Sequence, residues 1–237
     1  MKNNVAIPVS AGQIILTPRK NSYQSMGPAP VTPVSPGPIT CFLAGSTVTM
    51  ADYSTKRIEE VESGEFVVGA FGEINEVLAL DRTMLGNRPM YRINGEHSTT
   101  AEHPHVGVDK KFYAQDTEAT YAEYGTEHQC LVKDGSLQTL TLHGVDTGKI
   151  NSLYIGIELQ TIYGGKIVKS VEKFNLSEST LLFNLVLSGS HTYFVDGYAV
   201  GGWLRDDDFD YENWKIKDVP KITTSDYNIF RNAEYIK

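Results

Sequence analysis

From Cys41 to about Trp203 the apolar positions come in short runs of Val, Ile, Thr, Tyr and Phe, broken every few residues by Gly, Asn or Asp. Such runs fit a pleated, half-buried surface, so the text predicts strands. The clearest are Thr47–Met50, Phe66–Phe71, Ile74–Thr83, Met90–Asn94, Leu153–Gln160, Lys166–Phe174, Leu181–Leu187 and Thr192–Val195. Turn chemistry is expected at Asn94-Gly95, Asp134-Gly135, Gly164-Gly165, Ser188-Gly189 and Asp196-Gly197. One amphipathic piece, Lys56–Glu62, spaces Ile58 and Val61 three apart, enough for a short helix at most. Lys110–Gly148 is the least regular stretch and reads as a surface excursion. The fold class is therefore all-β. A weak internal echo joins Gly95-Glu96-His97-Ser98 to Gly189-Ser190-His191-Thr192, a hint of two related halves.

The ends read differently. Pro28, Pro30, Pro33, Pro36 and Pro38 fall within one short stretch, and proline fixes φ while supplying no N–H. Residues 1–40 are thus expected to be an extended, polyproline-like arm that buries too little to order itself. Residues 204–237 mix Asp206, Asp207, Asp208, Asp210 and Glu212 with Phe209, Tyr211 and Trp214, and read as an acidic, aromatic tail. A calcium loop does not fit there, because Tyr211 stands where the turn glycine of such a loop belongs. The organisation expected is an arm (1–40), a folded domain (41–203) and a tail (204–237).

Composition narrows the function. The chain has 237 residues and a net charge of −8, which argues against a nucleic-acid partner. No stretch reaches the roughly 18 apolar residues of a membrane-spanning helix. The first twenty residues lack the apolar core of a secretory signal, so a cytoplasmic or particle-borne protein is expected. Two cysteines exclude a disulfide scaffold and a multi-thiolate metal site. His97, His103, His105, His128 and Cys130 fit no standard zinc spacing, so neither a metal nor any other cofactor is expected.

Cys41 stands at the junction of the arm and the domain. A thiol there can attack the carbonyl of its own preceding residue, Thr40, and convert the peptide into a thioester. The step needs a group that stabilises the oxyanion and an imidazole that protonates the leaving amine. Thr100-Ala101-Glu102-His103 offers a hydroxyl and an imidazole on one tight turn. A lone cysteine is more often a small buried hydrophobe, and that alternative stands beside the reactive one. Cys130 reads as an inert thiol and His191 as a structural histidine.

The segment from Cys41-Phe42-Leu43-Ala44-Gly45-Ser46-Thr47-Val48 through Met50-Ala51-Asp52, Ile58-Glu59 and Val61 to Gly64-Glu65 resembles the N-terminal splicing block of inteins. Thr100-Ala101-Glu102-His103-Pro104 resembles their second block. Leu182–Leu187 with His191–Val200 resembles the late block that runs up to the C-terminal splice junction. In order and extent, covering about two-thirds of the chain, these resemble a Hint domain, the fold of inteins and hedgehog autoprocessing domains. The resemblance implies a horseshoe-like all-β fold of two pseudo-symmetric halves. It implies Cys41 as nucleophile of an N–S acyl shift at Thr40–Cys41, His103 as the imidazole on the scissile amide, and Thr100 as the oxyanion-side hydroxyl.

The departures from the family pattern are informative. Gly201 and Gly202 stand where a splicing intein carries His-Asn, and no later Asn precedes Cys, Ser or Thr, so splicing is chemically excluded. The late-block position that is commonly Asp is Asn184, whose amide accepts no proton. Tyr53 replaces a customary Gly. Two functions remain open on these residues. One is a Hint domain that cleaves itself at Thr40–Cys41. The other is a non-processing Hint-fold component of a virus (phage) particle, whose arms bind neighbouring subunits.

Overall fold

The computed structural model describes residues 40–122, 126–142 and 150–202; the expected arm and tail otherwise lie outside the described residues. Numbered in chain order, the first of two nine-stranded sheets holds β1 (Phe42–Leu43), β4 (Phe66–Val68), β5 (Ile74–Met84), β6 (Met90–Ile93), β7 (His97–Thr100), β10 (Thr126–Val132), β11 (Leu137–Leu142), β15 (Val171–Phe174) and β16 (Leu181–Leu187). Its order is β11-β10-β5-β16-β1-β7-β6-β15, with β4 added on β5. The second sheet holds β2 (Thr47–Thr49), β3 (Thr55–Arg57), β8 (His105–Val106), β9 (Phe112–Ala114), β12 (Ile150–Ser152), β13 (Glu158–Thr161), β14 (Gly164–Ile167), β17 (Thr192–Val195) and β18 (Tyr198–Gly201). Its order is β12-β9-β8-β18-β17-β2-β3, with β13 and β14 attached through β18. Among the described residues, a six-residue helix, α1 (Thr117–Ala122), is the one α-helix, and no helix is long and apolar enough to cross a membrane.

The fold is all-β, and the burial pattern explains which strands were legible. β16 is buried on both faces. One face joins Phe42, Val48, Ile58, Val77, Tyr193, Val195 and Val200 in a core drawn from both sheets, and the other meets Cys41, Ala79, Leu85, Met90 and Cys130. A central strand with two buried faces reads as a continuous apolar run. The chain passes repeatedly between the sheets, and the crossings after β1, after β7 and after β16 bring the candidate site together.

Several expectations are corrected. Leu153–Gln160 is not one strand: β12 pairs in parallel with β9, and β13 begins only at Glu158. Lys166–Phe174 splits between the two sheets, β14 and β15, because Val168–Ser170 carries the crossing. The turn expected at Gly164-Gly165 lies at Ile162-Tyr163, since Thr161 and Gly164 are already paired. Lys56–Glu62 gives the end of β3 and a single 3-10 turn, Ile58–Glu60, with no side-chain cap, although Ile58 and Val61 are both buried as their spacing implies. The described part of Lys110–Gly148 is no loose excursion: Phe112, Tyr113 and Ala114 are buried in β9, and β10 and β11 extend the first sheet from β5. Its polar surface text hid this, because an edge hairpin buries little of itself. Tyr53 sits at φ 64, the left-handed region that favours glycine, which gives the physical reason a glycine suits that position.

Candidate functional site

Thr40, assigned by composition to the arm, is 3% exposed, and Cys41 is fully buried. The peptide between them is held from both sides. The Cys41 amide donates to Thr100 Oγ1 at 3.0 Å, and the Thr100 amide donates to the Cys41 carbonyl at 3.2 Å. On the other side Asn184 Nδ2 donates to Thr40 Oγ1 at 2.9 Å, while Asn184 Oδ1 accepts from the Tyr193 hydroxyl at 2.6 Å. Burial holds the Tyr193 phenol well above its ordinary pKa, with Cys41, Asp196 and Asp81 adding to the shift, so it stays a donor. The Thr100 hydroxyl therefore meets the Cys41 nitrogen, whereas the family resemblance implied a place on the oxyanion side.

His103 lies in the crossing between β7 and β8, one tight turn after Thr100, whose carbonyl accepts the His103 amide at 3.3 Å. Its ring packs on Phe42, the residue after Cys41, with centroids 4.1 Å apart. Burial, then the neighbouring His105 and His97, hold His103 well below the ordinary imidazole pKa, so it is neutral at neutral pH. Among the described residues neither ring nitrogen completes a hydrogen bond, although the Gly201 backbone lies close enough to favour the charged ring. A buried imidazole with both nitrogens available is set up to exchange a proton.

Behind it runs a buried polar chain that composition did not single out. Asp196 Oδ2 meets His97 Nδ1 at 3.1 Å, and His97 Nε2 meets His105 Nε2 at 3.0 Å. A carboxylate oxygen accepts, so His97 Nδ1 donates to Asp196, and the facing Nε2 atoms of His97 and His105 share one hydrogen bond. Burial, with His97, pushes His105 down to about 3, which keeps it neutral. The repeated Gly-x-His pattern and the Asp196-Gly197 turn were the sequence signals for this chain. Among the described residues no group of three His, Cys, Asp or Glu side chains is arranged to hold a metal. Cys130 lies on β10 in the first sheet, and the His128 side chain is outside the described set.

The register assembles a second feature. Phe42 pairs with Phe183 and with Thr99, Asn184 with Asp81, and Asp81 with Cys130. Cys41, one residue before β1, thus continues a polar line across the first sheet: Thr100, Cys41, Asn184, Asp81, Cys130. Asp81 is fully buried, accepts from the Cys130 thiol at 3.8 Å, and leaves Oδ2 without a partner among the described residues. Burial pushes its carboxyl up to about 7, and pushes the Cys130 thiol up as well. With an acid already opposite position 184, a second one there would place two carboxyls on adjacent strands about 5 Å apart. The amide of Asn184 avoids that repulsion.

His191 is buried at φ 56 in the turn before β17, and its carbonyl accepts the Gly202 amide. A Cβ on Gly202 would stand 2.9 Å from the Leu185 carbonyl oxygen and 3.0 Å from that of His191. Both obstacles are backbone, so no side chain fits here without moving a strand. Gly202→Ala is expected to cost about 1–3 kcal/mol in chemical denaturation; a neutral result would show that the strand end yields.

No protein-family model matches the chain, and no curated protein matches it. Among solved structures it is similar to a bacterial intein-like domain from Clostridium thermocellum, at 19% identity over 68% of this chain and 97% of that one, TM-score 0.45. It is similar to the gp41-1 intein at 14% identity over 69% of this chain and 98% of that one, TM-score 0.43. A DnaB intein from Synechocystis sp. PCC 6803 gives 13% identity over 69% and 98%, TM-score 0.40. At identities and scores this low, a functional reading has to rest on this chain's own residues.

Proposed function

We propose that this chain is an intein-like Hint domain that cleaves its own backbone at Thr40–Cys41 through a thioester. The observation that carries the reading is the 3.0 Å hydrogen bond from the Cys41 amide to Thr100 Oγ1, inside a fully buried junction. A surface linker would not be gripped on both sides by side chains distant in sequence. In the proposed step, Cys41 Sγ attacks the Thr40 carbonyl carbon, and the C–S bond forms as the C–N bond breaks. The thiol proton passes to His103 and from it to the departing nitrogen, which becomes the free amine of Cys41. Nothing is consumed, so the acyl shift is an isomerisation, and cleavage is completed when an external nucleophile takes the acyl group. Thr100 accepts from the nitrogen throughout and stabilises it as its positive charge grows.

The same geometry supports reading the C-terminal end as inactive for splicing. Gly201 and Gly202 supply no side-chain nucleophile, and the packing at Gly202 leaves room for none. The test uses the full chain, incubated with excess dithiothreitol or hydroxylamine and followed by intact mass. The expected products are residues 1–40 ending in a Thr40 thioester or hydroxamate and a fragment beginning at Cys41. A chain that remains full-length after prolonged treatment would overturn the reading.

A further inference from the structure

The Thr100–His103 turn is clamped by groups that the acyl shift does not itself require. Arg88, in the link between β5 and β6, places Nη1 2.8 Å from Glu102 Oε1, with Glu102 2% exposed. The rest of the guanidinium is spent on backbone: Nε donates to the Leu85 carbonyl and Nη2 to the Met84 carbonyl, both at 2.9 Å. Thr120 Oγ1 of α1 donates to the Glu102 carbonyl at 2.8 Å, and the Asp116 amide to that of Ala101 at 2.9 Å. The Thr100 hydroxyl donates to the Glu102 carboxylate. That last contact matters chemically. A hydroxyl has one proton and two lone pairs, so a proton given to Glu102 leaves a lone pair for the Cys41 amide.

We propose that Glu102, anchored by Arg88, is the positioning residue of the scissile junction, orienting the Thr100 hydroxyl as an acceptor toward the Cys41 nitrogen. The proposal rests on the self-cleavage reading above. It involves no proton transfer to Glu102. The proton that the nitrogen gains still comes from the thiol by way of His103. Glu102 acts through Thr100, and its negative charge strengthens the acceptor as the amide nitrogen turns into an amine. Charge-assisted hydrogen bonds of this kind are stronger than neutral ones, and a buried, dry setting strengthens them further. The sequence signal was present in Thr100-Ala101-Glu102-His103, but an acid inside a turn has no assigned role until its partners are seen.

The experiment measures dithiothreitol-induced cleavage of the full chain against thiol concentration. The plateau rate reports the forward acyl shift, and the half-saturating concentration reports the ratio of its reversal to thiol capture. Glu102→Gln is expected to lower the plateau roughly 10- to 100-fold, the scale of a small misplacement at a reacting group, with half-saturation little changed. Combining it with Thr100→Ala is expected to slow the reaction no further than Thr100→Ala alone, because both act on one oxygen. Since Glu102→Gln leaves Arg88 without its charge partner, Arg88→Gln with Glu102→Gln provides a second variant without the orphaned charge. It is expected to fold and to show the same low plateau. Wild-type rates in either folded variant, or additive losses with Thr100→Ala, would overturn the proposal while leaving self-cleavage standing. A wild-type chain inert to thiol would remove the self-cleavage reading and this proposal with it.

Discussion

With Cys41 replaced by alanine, the full chain is expected to stay intact in excess thiol or hydroxylamine, with cleavage abolished rather than slowed. In the proposed step the sulfur is the acyl acceptor, and without it the Thr40 carbonyl remains an ordinary amide that neither reagent attacks at a useful rate. The substitution removes little volume from the cluster of Ala79, Leu85, Met90, Cys130 and Leu182, so the fold is expected to survive and serve as its own control. His103→Ala differs in kind. The ring lies 4.1 Å from Phe42, centroid to centroid, and its removal leaves a cavity as well as removing the proton carrier. Cleavage is expected to fall about 10²- to 10⁴-fold, the usual range for a positioned acid–base group. His103→Gln, which fills more of the space, separates the two effects: it is expected to recover stability but not rate. Cleavage of Cys41→Ala at Thr40–Cys41 at any measurable rate would show that the bond breaks by another route.

The second large effect concerns stability and pH. Asp81→Asn is expected to stabilise the protein increasingly as pH rises. The sign follows from the direction of the shift. Burial pushes the Asp81 carboxyl from the ordinary 3.8 of the unfolded chain up to about 7 in the folded state. Below the lower value both states are protonated and burial carries no charge penalty. Above the upper value both are ionised, and the folded state bears the cost of a buried charge. Three pKa units correspond to about 4 kcal/mol, built up between the two values and complete above pH 7. The groups facing Asp81 do not cancel this: the Cys130 thiol stays neutral, and the Arg82 amide and Arg88 charge only moderate it. His103 and His105 work in the opposite direction, because their depressed values penalise the folded state at low pH and the penalty disappears once the unfolded rings are neutral too. The comparison is therefore between wild type and variant at each pH. In guanidinium chloride unfolding, the advantage of Asp81→Asn is expected to grow by about 2–3 kcal/mol from pH 5 to pH 8. An advantage that does not change with pH would mean the carboxyl is not buried as a charge. By the same argument, Asn184→Asp is expected to destabilise the protein near neutral pH, and adding Asp81→Asn to relieve it.

What the sequence determined by itself is whatever one strand or one turn can specify. The runs at Ile74–Thr83, Leu181–Leu187 and Thr192–Val195 carry their strands in their own composition, because both faces or alternate positions are buried there. Turns at Asn94-Gly95 and Asp196-Gly197 are local too, since those residues accept the positive φ that each adopts. Cys41, Thr100 and His103 could be picked out because each has chemistry of its own and sits in a recognisable block. Contacts between distant segments were not legible. Lys166–Phe174 reads as a single strand, since β propensity is nearly blind to a crossing from one sheet to another, and Leu153–Gln160 does so although only Glu158–Gln160 of it is paired. Pairing decides that crossing, and pairing is long-range. The polar line from Thr100 to Cys130 exists only through the register of five strands, in which a slip of one residue would turn every one of its side chains to the opposite face. The same holds for the proton on Thr100. Its direction depends on Glu102, which depends on Arg88, and only the tertiary structure brings that arginine from the preceding link onto the turn.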